Sequence, residues 1–317
     1  RGLGDVYKRQ TEHSMLSAMF TRVKTAAVCT SLLPVAMLAG CVTNAEGGNP
    51  EGWEEITPAA VPEIAAMVPE DIQASGRLTA GANPPFAPFE FKDSQGNLIG
   101  MEMDLGRAVA SVMGLEFAPQ EQDFAMILPA VQAGTLDTGM SGFTDSEERR
   151  ENFDFVNFLY AGIQWAAQPG ADVDPAHPCG LTVAVQRTTV SETDDVRPKA
   201  EKCEEEGNPM TILSYDTSDN ASLAALVGRA DALSADSPVT AWAVNRSDGK
   251  MELVGDMFDA APYGFAVPKD SPLGPAMAAA MQHLIDTGEY ERILAQWGVE
   301  TGLLEQAQIN EQPVGGQ

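Results

Sequence analysis

The chain has 317 residues, enough for two compact lobes with a sizeable core, and its 44% hydrophobic and 7% aromatic content is ordinary for a globular protein. Its formal net charge of −27 is not ordinary. Such an excess of acid excludes a nucleic-acid binder, which needs clustered Lys and Arg, and describes a solvated, self-repelling surface.

Arg1 stands where a Met would be expected, and the opening stretch RGLGDVYKRQ suggests that translation starts at Met15 or Met19. Arg22 and Lys24 lead into the apolar run TAAVCTSLLPVAMLAGC, which ends at Cys41. A basic segment followed by a short apolar one reads as a secretory signal over residues 1–40, too short to favour a permanent span. Leu38-Ala39-Gly40-Cys41 is similar to a bacterial lipobox, in which the Cys is acylated and becomes the first residue of the mature chain. The alternative is an ordinary signal with an incidental Cys. Either way the expected place is outside the cytoplasm, and the lipobox adds lipid anchoring to the outer face of the membrane. Removal of residues 1–40 takes away five basic and two acidic residues and leaves the remainder near −30.

Cys29 goes with the signal and Cys41 with the lipid, so Cys179 and Cys203 are left as a pair. In an oxidising compartment they are expected to form a disulfide. Two Cys and three scattered His provide no metal-ligand spacing, and neither a metal nor a cofactor is expected.

Residues 41–74 are rich in Pro, Glu and Gly and read as a lipid-anchored flexible linker. From Arg77 onward the pattern becomes regular. RLTAGA reads as a strand, and FEFKDSQGNLIGMEM as a hairpin turning on the cluster Asp93–Asn97. MDLGRAVASVMG carries helical spacing and ends on a Gly, and LEFAP is again a strand. DFAMILPAVQAG is a second helix with Asp123 as its N-cap, and LDTGMS follows as a strand. Beyond residue 180, LTVAVQ, MTILSY, ADALSA and YGFAVPK read as strands. SDNASLAALVGR, SPVTAWAVNR and the long segment from Pro272 to Gly298 read as helices. This alternation predicts an α/β fold with mostly parallel strands. Residues 301–317 are polar and read as a loose tail.

Six ordered segments resemble the family 3 extracellular solute-binding proteins, the amino-acid receptors of ABC importers. They are GANPPFAPFEFKDSQGNLIGMEMDLGRAVASVMG, DFAMILPAVQAGTLDTGMSGFTDSEERRENFDFVNFLY, VAVQRTT, GRADALSADSPV, YGFAVPKDSP and GEYERILAQWG. The lipobox and the cysteine pair further resemble Gram-positive, actinobacterial-type members. The resemblance implies a type II periplasmic-binding-protein-like fold: two mixed sheets in two lobes, joined by two crossover strands, with the ligand between the lobes. It places lobe 1 at 75–165 with 268–300, lobe 2 at 166–267, and the crossovers near QWAAQPG and YGFAVPK. It also implies membrane permease subunits as partners, and a monomer.

A free amino acid carries a carboxylate and an ammonium that are costly to desolvate unless paired. Arg149 stands at the family's carboxylate-binding position, and its planar fork suits that partner. Thr144 with Glu147 has the spacing of a capping box, which would place Arg149 in the first turns of a helix. By residue type alone Arg149 is one more surface charge; the resemblance makes it a ligand clamp. Asp236 stands at the ammonium position, although Asp236-Ser237-Pro238 is also a good helix start. Ser141, Gly142 and Thr144 match backbone and hydroxyl contacts. Phe86 and Phe124 match the aromatics that sandwich the ligand's stem, against the plain alternative of core packing.

The family's lobe 2 loop has a Gly where this chain has Thr188, leaving Thr189 as the expected donor. Asn83 is neutral where receptors for basic ligands often carry an acid. Together with Gln186 and Arg187 this points to a polar neutral or acidic ligand, with Arg187 either meeting that ligand or facing solvent. The implied function is an extracytoplasmic substrate-binding protein of an amino-acid ABC importer. The rival is a dehydratase-type enzyme on the same fold, which needs a general acid–base group in the cleft. His177 and His283 map away from the cleft, and Asp236 is the one carboxylate that maps into it.

Overall fold

The computed structural model describes residues 48–314; the expected signal over 1–40, Cys41 and the last three residues lie outside them. The chain is α/β with two lobes. In the first lobe β1 (Arg77–Ala82) lies between β4 (Glu116–Glu121) and β5 (Thr138–Gly139), all parallel. Helices α3 (Met101–Val112) and α4 (Phe124–Gln132) make the connections. The hairpin of β2 (Phe91–Lys92) and β3 (Leu98–Ile99) turns where the polar cluster predicts. Asp93 fixes that turn by accepting from the Gln95 and Asn97 N–H groups at 2.8 and 2.9 Å.

In the second lobe β7 (Thr182–Gln186) lies between β8 (Thr211–Tyr215) and β9 (Ala232–Asp236), again parallel. Helices α7 (Ser218–Leu226) and α8 (Ser237–Arg246) flank this sheet. A π-helical turn (Ser191–Val196) running into α6 (Arg197–Glu205) is an element that the sequence patterns leave unassigned. Cys203 of α6 is bonded to Cys179, ahead of β7. Its sulfur side packs into the lobe's apolar core with Trp165, Val183 and Met210.

The two lobes share their crossovers. β6 (Phe153–Ala167) and β10 (Glu252–Pro268) run antiparallel along nearly their whole lengths. At one end β10 pairs with β5 through Ala266 and Gly139. At the other, β6 pairs with β9 from Ile163 to Ala167. The two expected sheets are therefore one continuous path, β4-β1-β5-β10-β6-β9-β7-β8, because each crossover carries the hydrogen-bond ladder from lobe to lobe. Bulges in β10 near Phe258 and Tyr263 interrupt the ladder between the lobes. β6 is apolar on both faces, as a strand covered on both sides must be.

Two expectations about loose segments are corrected. The linker is not free through residue 74: Trp53 donates its indole N–H to Asp104 at 2.7 Å, and Trp297 donates to the same carboxylate oxygen at 2.9 Å. Short helices α1 (Pro62–Ala65) and α2 (Glu70–Ser75) follow, with Val68 and Ile72 buried. The sparse apolar residues of this segment serve as pegs.

Nor is 301–317 a loose tail over its described part. Leu304 and Ala307 are buried, and β11 (Gln308–Ile309) pairs with β6 and with β12 (Gln312–Pro313). Arg150 clasps the segment through Glu311 at 2.6 Å while binding the buried Asp145 at 2.5 Å. The tail covers backbone that β6 would otherwise leave unpaired.

Candidate ligand-binding cleft

The carboxyl ends of β1, β4 and β5 face those of β7 and β9 across the crossovers, the arrangement that makes a crevice in an α/β protein. Asn83 follows β1, Phe124 opens α4 after β4, and Ser141 and Gly142 follow β5. Gln186 ends β7 and Asp236 ends β9. Between the lobes lies a narrow cavity. Phe86, Phe124, Ser141, Gly142, Thr144 and Arg149 line it from the first lobe, and Gln186, Thr189, Val190 and Asp236 from the second. Val190 has no counterpart in the sequence reading. Asn83 lies behind this lining, buried, with its side-chain carbonyl accepting from Gln186 Nε2 at 2.8 Å across the lobes.

Arg149 is half-buried and donates to the Thr144 carbonyl at 2.9 Å, and more weakly to the Thr188 carbonyl of the opposite lobe at 3.5 Å. Its guanidinium lies over the Phe143 ring, 5.5 Å from the centroid, and Phe143 in turn stacks on Phe124 at 4.8 Å. Among the described residues it forms no ion pair, whereas the adjacent Arg150 forms two. Burial lowers its pKa from the ordinary value, with Asp236 opposing.

The capping box is corrected: Ser146, not Thr144, caps the short helix α5 (Glu147–Arg150), accepting from the Arg149 N–H. Thr144 instead bridges to Tyr263 on β10. A one-turn helix contributes little dipole, so the guanidinium itself is the anion-attracting group here.

Asp236 sits at the N-cap of α8, but its side chain makes no capping bond. It accepts from the hydroxyl of the buried Tyr263, a partner that the sequence reading missed. Burial pushes its pKa up to about 6. A cation and a buried acid, neither in an ion pair among the described residues, thus face one cavity.

Gly142 has φ +59, and a Cβ there would come within 2.5 Å of the Phe86 ring. Only glycine lets the ring lie against this turn. Its N–H points away from the cavity lining and donates to Glu102 at 2.7 Å. The Thr189 hydroxyl, expected as a ligand donor, donates to the Gln186 carbonyl at 2.8 Å. Thr188 takes φ +62, holding glycine's conformation with a branched side chain.

Arg187 neither faces solvent alone nor reaches into the cavity. It pairs with Asp123 of the opposite lobe and, at 3.2 Å, with Asp216.

The sequence reading also missed two acids. Glu90 and Glu102 are fully buried behind the Ser141–Gly142 turn, so Asp236 is not the one carboxylate at this cleft. Ser141 donates its hydroxyl to Glu90. Burial and the neighbouring Glu102 raise Glu90 well above the carboxylate range, and burial raises Glu102 to about 8. Glu90 sits between the buried Phe89 and Phe91, where an acid stands out in an apolar run; that was the available signal. Among the described residues there is no cluster that could hold a metal ion.

Residues 78–300 match the model of the bacterial extracellular solute-binding proteins, family 3. The arginine-binding protein ArgT of Corynebacterium glutamicum is 68% identical over 280 residues, covering 87% of this chain and 92% of that protein. An L-arginine-binding protein of Pseudomonas aeruginosa is 28% identical over 233 residues, covering 67% of this chain and 84% of that one. Among solved structures, an ancestral arginine-binding protein bound to arginine superposes with a TM-score of 0.66 at 30% identity, covering 70% of this chain and 98% of that one.

Proposed function

The chain belongs to the bacterial extracellular solute-binding proteins of family 3, and from that premise we propose that its ligand is arginine. It is an extracytoplasmic binding protein for an amino acid of an ABC importer. One observation carries the amino-acid part: Arg149 and Asp236 face a single cavity, each lacking an opposite charge bonded to it among the described residues. A free amino acid brings a carboxylate to the first and an ammonium to the second. Pairing offsets the desolvation of all four groups.

The choice of arginine is supported by relatives that are themselves named for binding arginine, one of them 68% identical. The part of the sequence-based argument against a basic ligand that rested on Arg187 and Gln186 loses its ground. Arg187 is occupied by two carboxylates, and Gln186 and Asn83 are occupied by each other.

In this reading the protein closes on arginine, presents it to a membrane permease, and makes or breaks no bond. Leu38-Ala39-Gly40-Cys41 supports attachment through an acylated Cys41. The test is calorimetric titration of the purified protein, unfolded and refolded to strip carried-over ligand, with each of the twenty amino acids. Arginine should bind most tightly, and Arg149→Ala should abolish binding. A tighter neutral or acidic ligand overturns the choice of arginine. Binding undiminished in Arg149→Ala overturns the site, and turnover of prephenate would restore the dehydratase. Loss of membrane attachment in Cys41→Ser tests the anchor.

A further inference from the structure

Arg149 sits on an element too small to hold itself. α5 is a single turn, Glu147–Arg150, and an isolated turn is unstable without outside support. The Arg149 guanidinium has one full hydrogen bond, to the Thr144 carbonyl of the same loop. Its 3.5 Å contact to the Thr188 carbonyl belongs to the opposite lobe. The direction of the guanidinium is therefore set by whatever fixes the backbone from Thr144 to Arg150.

A closed ring of hydrogen bonds does this. The buried Asp145 carboxylate accepts from Arg150 on one oxygen and from Asn157 Nδ2, at 2.8 Å, on the other. Arg150 also donates to the Glu311 carboxylate at 2.6 Å. The Glu311 N–H closes the ring by donating to the Asn157 side-chain carbonyl at 2.9 Å. Asp145 and Arg150 bracket α5, Asn157 belongs to β6, and Glu311 to the turn between β11 and β12. Residue 311 lies beyond the stretch 78–300 that matches the family model. Asn310 and Glu311 are the two residues of that hairpin turn, with φ of +52° and +65°. Such a turn favours glycine at its second position. A glutamate held there in the left-handed region is strained, and the strain points to a use for its side chain.

We propose that Glu311, reaching in from the C-terminal hairpin, is a positioning residue for the ligand's carboxylate: through Arg150 it holds α5 so that the fork of Arg149 meets that carboxylate. The proposal rests on the reading of Arg149 as the carboxylate clamp, and not on which amino acid binds. Glu311 is no part of the cavity lining, so it acts through Arg150. The bond between Asp145 and Arg150 moves with the loop that carries both residues. Asn157 and Glu311 refer that loop to the sheet, because one lies on β6 and the other on the hairpin paired with it. A bidentate pair depends on the orientation of the planar guanidinium, so a tilted turn loses one of the two hydrogen bonds to the ligand. The adjacent arginines thus divide two tasks. Arg150 is neutralised to hold the turn, and Arg149 is left for the ligand.

The experiment measures arginine affinity by calorimetry, and thermal unfolding of the ligand-free protein, in the parent, Glu311→Gly and Glu311→Gln. Glycine removes the side chain but suits the turn, so the melting temperature should fall by no more than about 3 °C. Arginine should nonetheless bind about three- to fivefold more weakly. Glutamine keeps an acceptor for Arg150 and should recover most of that loss. Undiminished affinity in Glu311→Gly overturns the proposal. So does a larger fall in melting temperature alongside the loss, which makes the hairpin purely structural, and so does glutamine's failure to recover affinity. If Glu311→Gly does not fold, Glu311→Gln and Glu311→Lys decide. Lysine sets a like charge against Arg150 and should bind arginine more weakly than glutamine does; equal affinities overturn the proposal. Arg149→Ala, run in parallel, separates the two readings. Undiminished binding there sinks the clamp itself. Abolished binding there, with Glu311 variants that match the parent, sinks only the role of Glu311. A parent that ignores arginine sinks that choice of ligand, and the same series then runs with the amino acid that does bind, whose carboxylate is the same.

Discussion

Arg187 of the second lobe and Asp123 of the first form an ion pair across the mouth of the cleft, and Asp123 is also the N-cap of α4. One carboxylate thus starts the helix that presents Phe124 and holds the opposing lobe closed. The pair is about two-fifths exposed on each side, at 40% and 38%, so solvent screens it. Exposed pairs are worth about 0.2–1 kcal/mol, and Arg187→Ala should weaken ligand binding by no more than about fivefold, mostly through faster release. Stopped-flow dissociation at low and high salt checks this. A loss that persists at high salt would mean that Arg187 touches the ligand.

If the proposed site is right, Asp236 should set the pH dependence of binding. Its pKa is raised from 3.8 to about 6 by burial. In the ligand-free protein its contribution to stability is fullest below 3.8 and is lost as pH rises through about 6, because the folded state holds the proton more tightly than the unfolded chain. Binding runs the other way, since an ammonium needs the ionised carboxylate. Affinity should be level above pH ~7 and fall by up to about tenfold per unit below pH ~6. Calorimetry from pH 4 to pH 8 reads this directly. A flat profile would remove Asp236 from the site.

Thr188 pays a conformational cost that its replacement by glycine should relieve. Left-handed backbone costs an L-residue roughly 1–2 kcal/mol, partly offset by the greater freedom that glycine loses on folding. Thr188→Gly should therefore raise the melting temperature by about 2–4 °C. The Thr188 N–H donates to the Glu192 carboxylate at 2.7 Å, and because the donor is backbone the bond survives the change. Thermal unfolding decides it, and a lower melting temperature would show that the threonine side chain holds the loop.

The Cys179–Cys203 bond closes a sequence separation of 24 residues. Loop-closure entropy puts its worth at about 3 kcal/mol. The double Cys→Ala variant should lose about that much in denaturant unfolding. The bond lies at the amino end of β7, whereas Gln186 and the cleft lie at the carboxyl end, so ligand affinity should change little. A large loss of affinity at full folding would show that the bond shapes the cleft.

Much of the scaffold was legible because its signals are local. Asp93 and Asp123 take their turn and cap positions from side chains that bond their own neighbours. The burial on both faces of β6 shows in its apolar run. The loose-segment readings failed for the opposite reason. Trp53 and Leu304 are isolated apolar residues in polar stretches, and what anchors them are hydrogen bonds to Asp104 and Tyr290 on other elements. Thr144 and Ser146 were equally good caps by type, and the bridge from Thr144 to Tyr263, 119 positions along the chain by numbering, settled the matter.

By itself the sequence determined the family, the α/β alternation and the residue types that reach the cleft, since strand ends and turns place them through local chemistry and ordered motifs. Only the tertiary structure decided which charges are spent and which are free. Arg150 and Arg187 are neutralised by Asp145, Glu311, Asp123 and Asp216, while Arg149, Asp236 and Glu90 are left facing or adjoining the cavity. Charge compensation depends on distance and desolvation, and both are set by contacts between residues far apart in the chain.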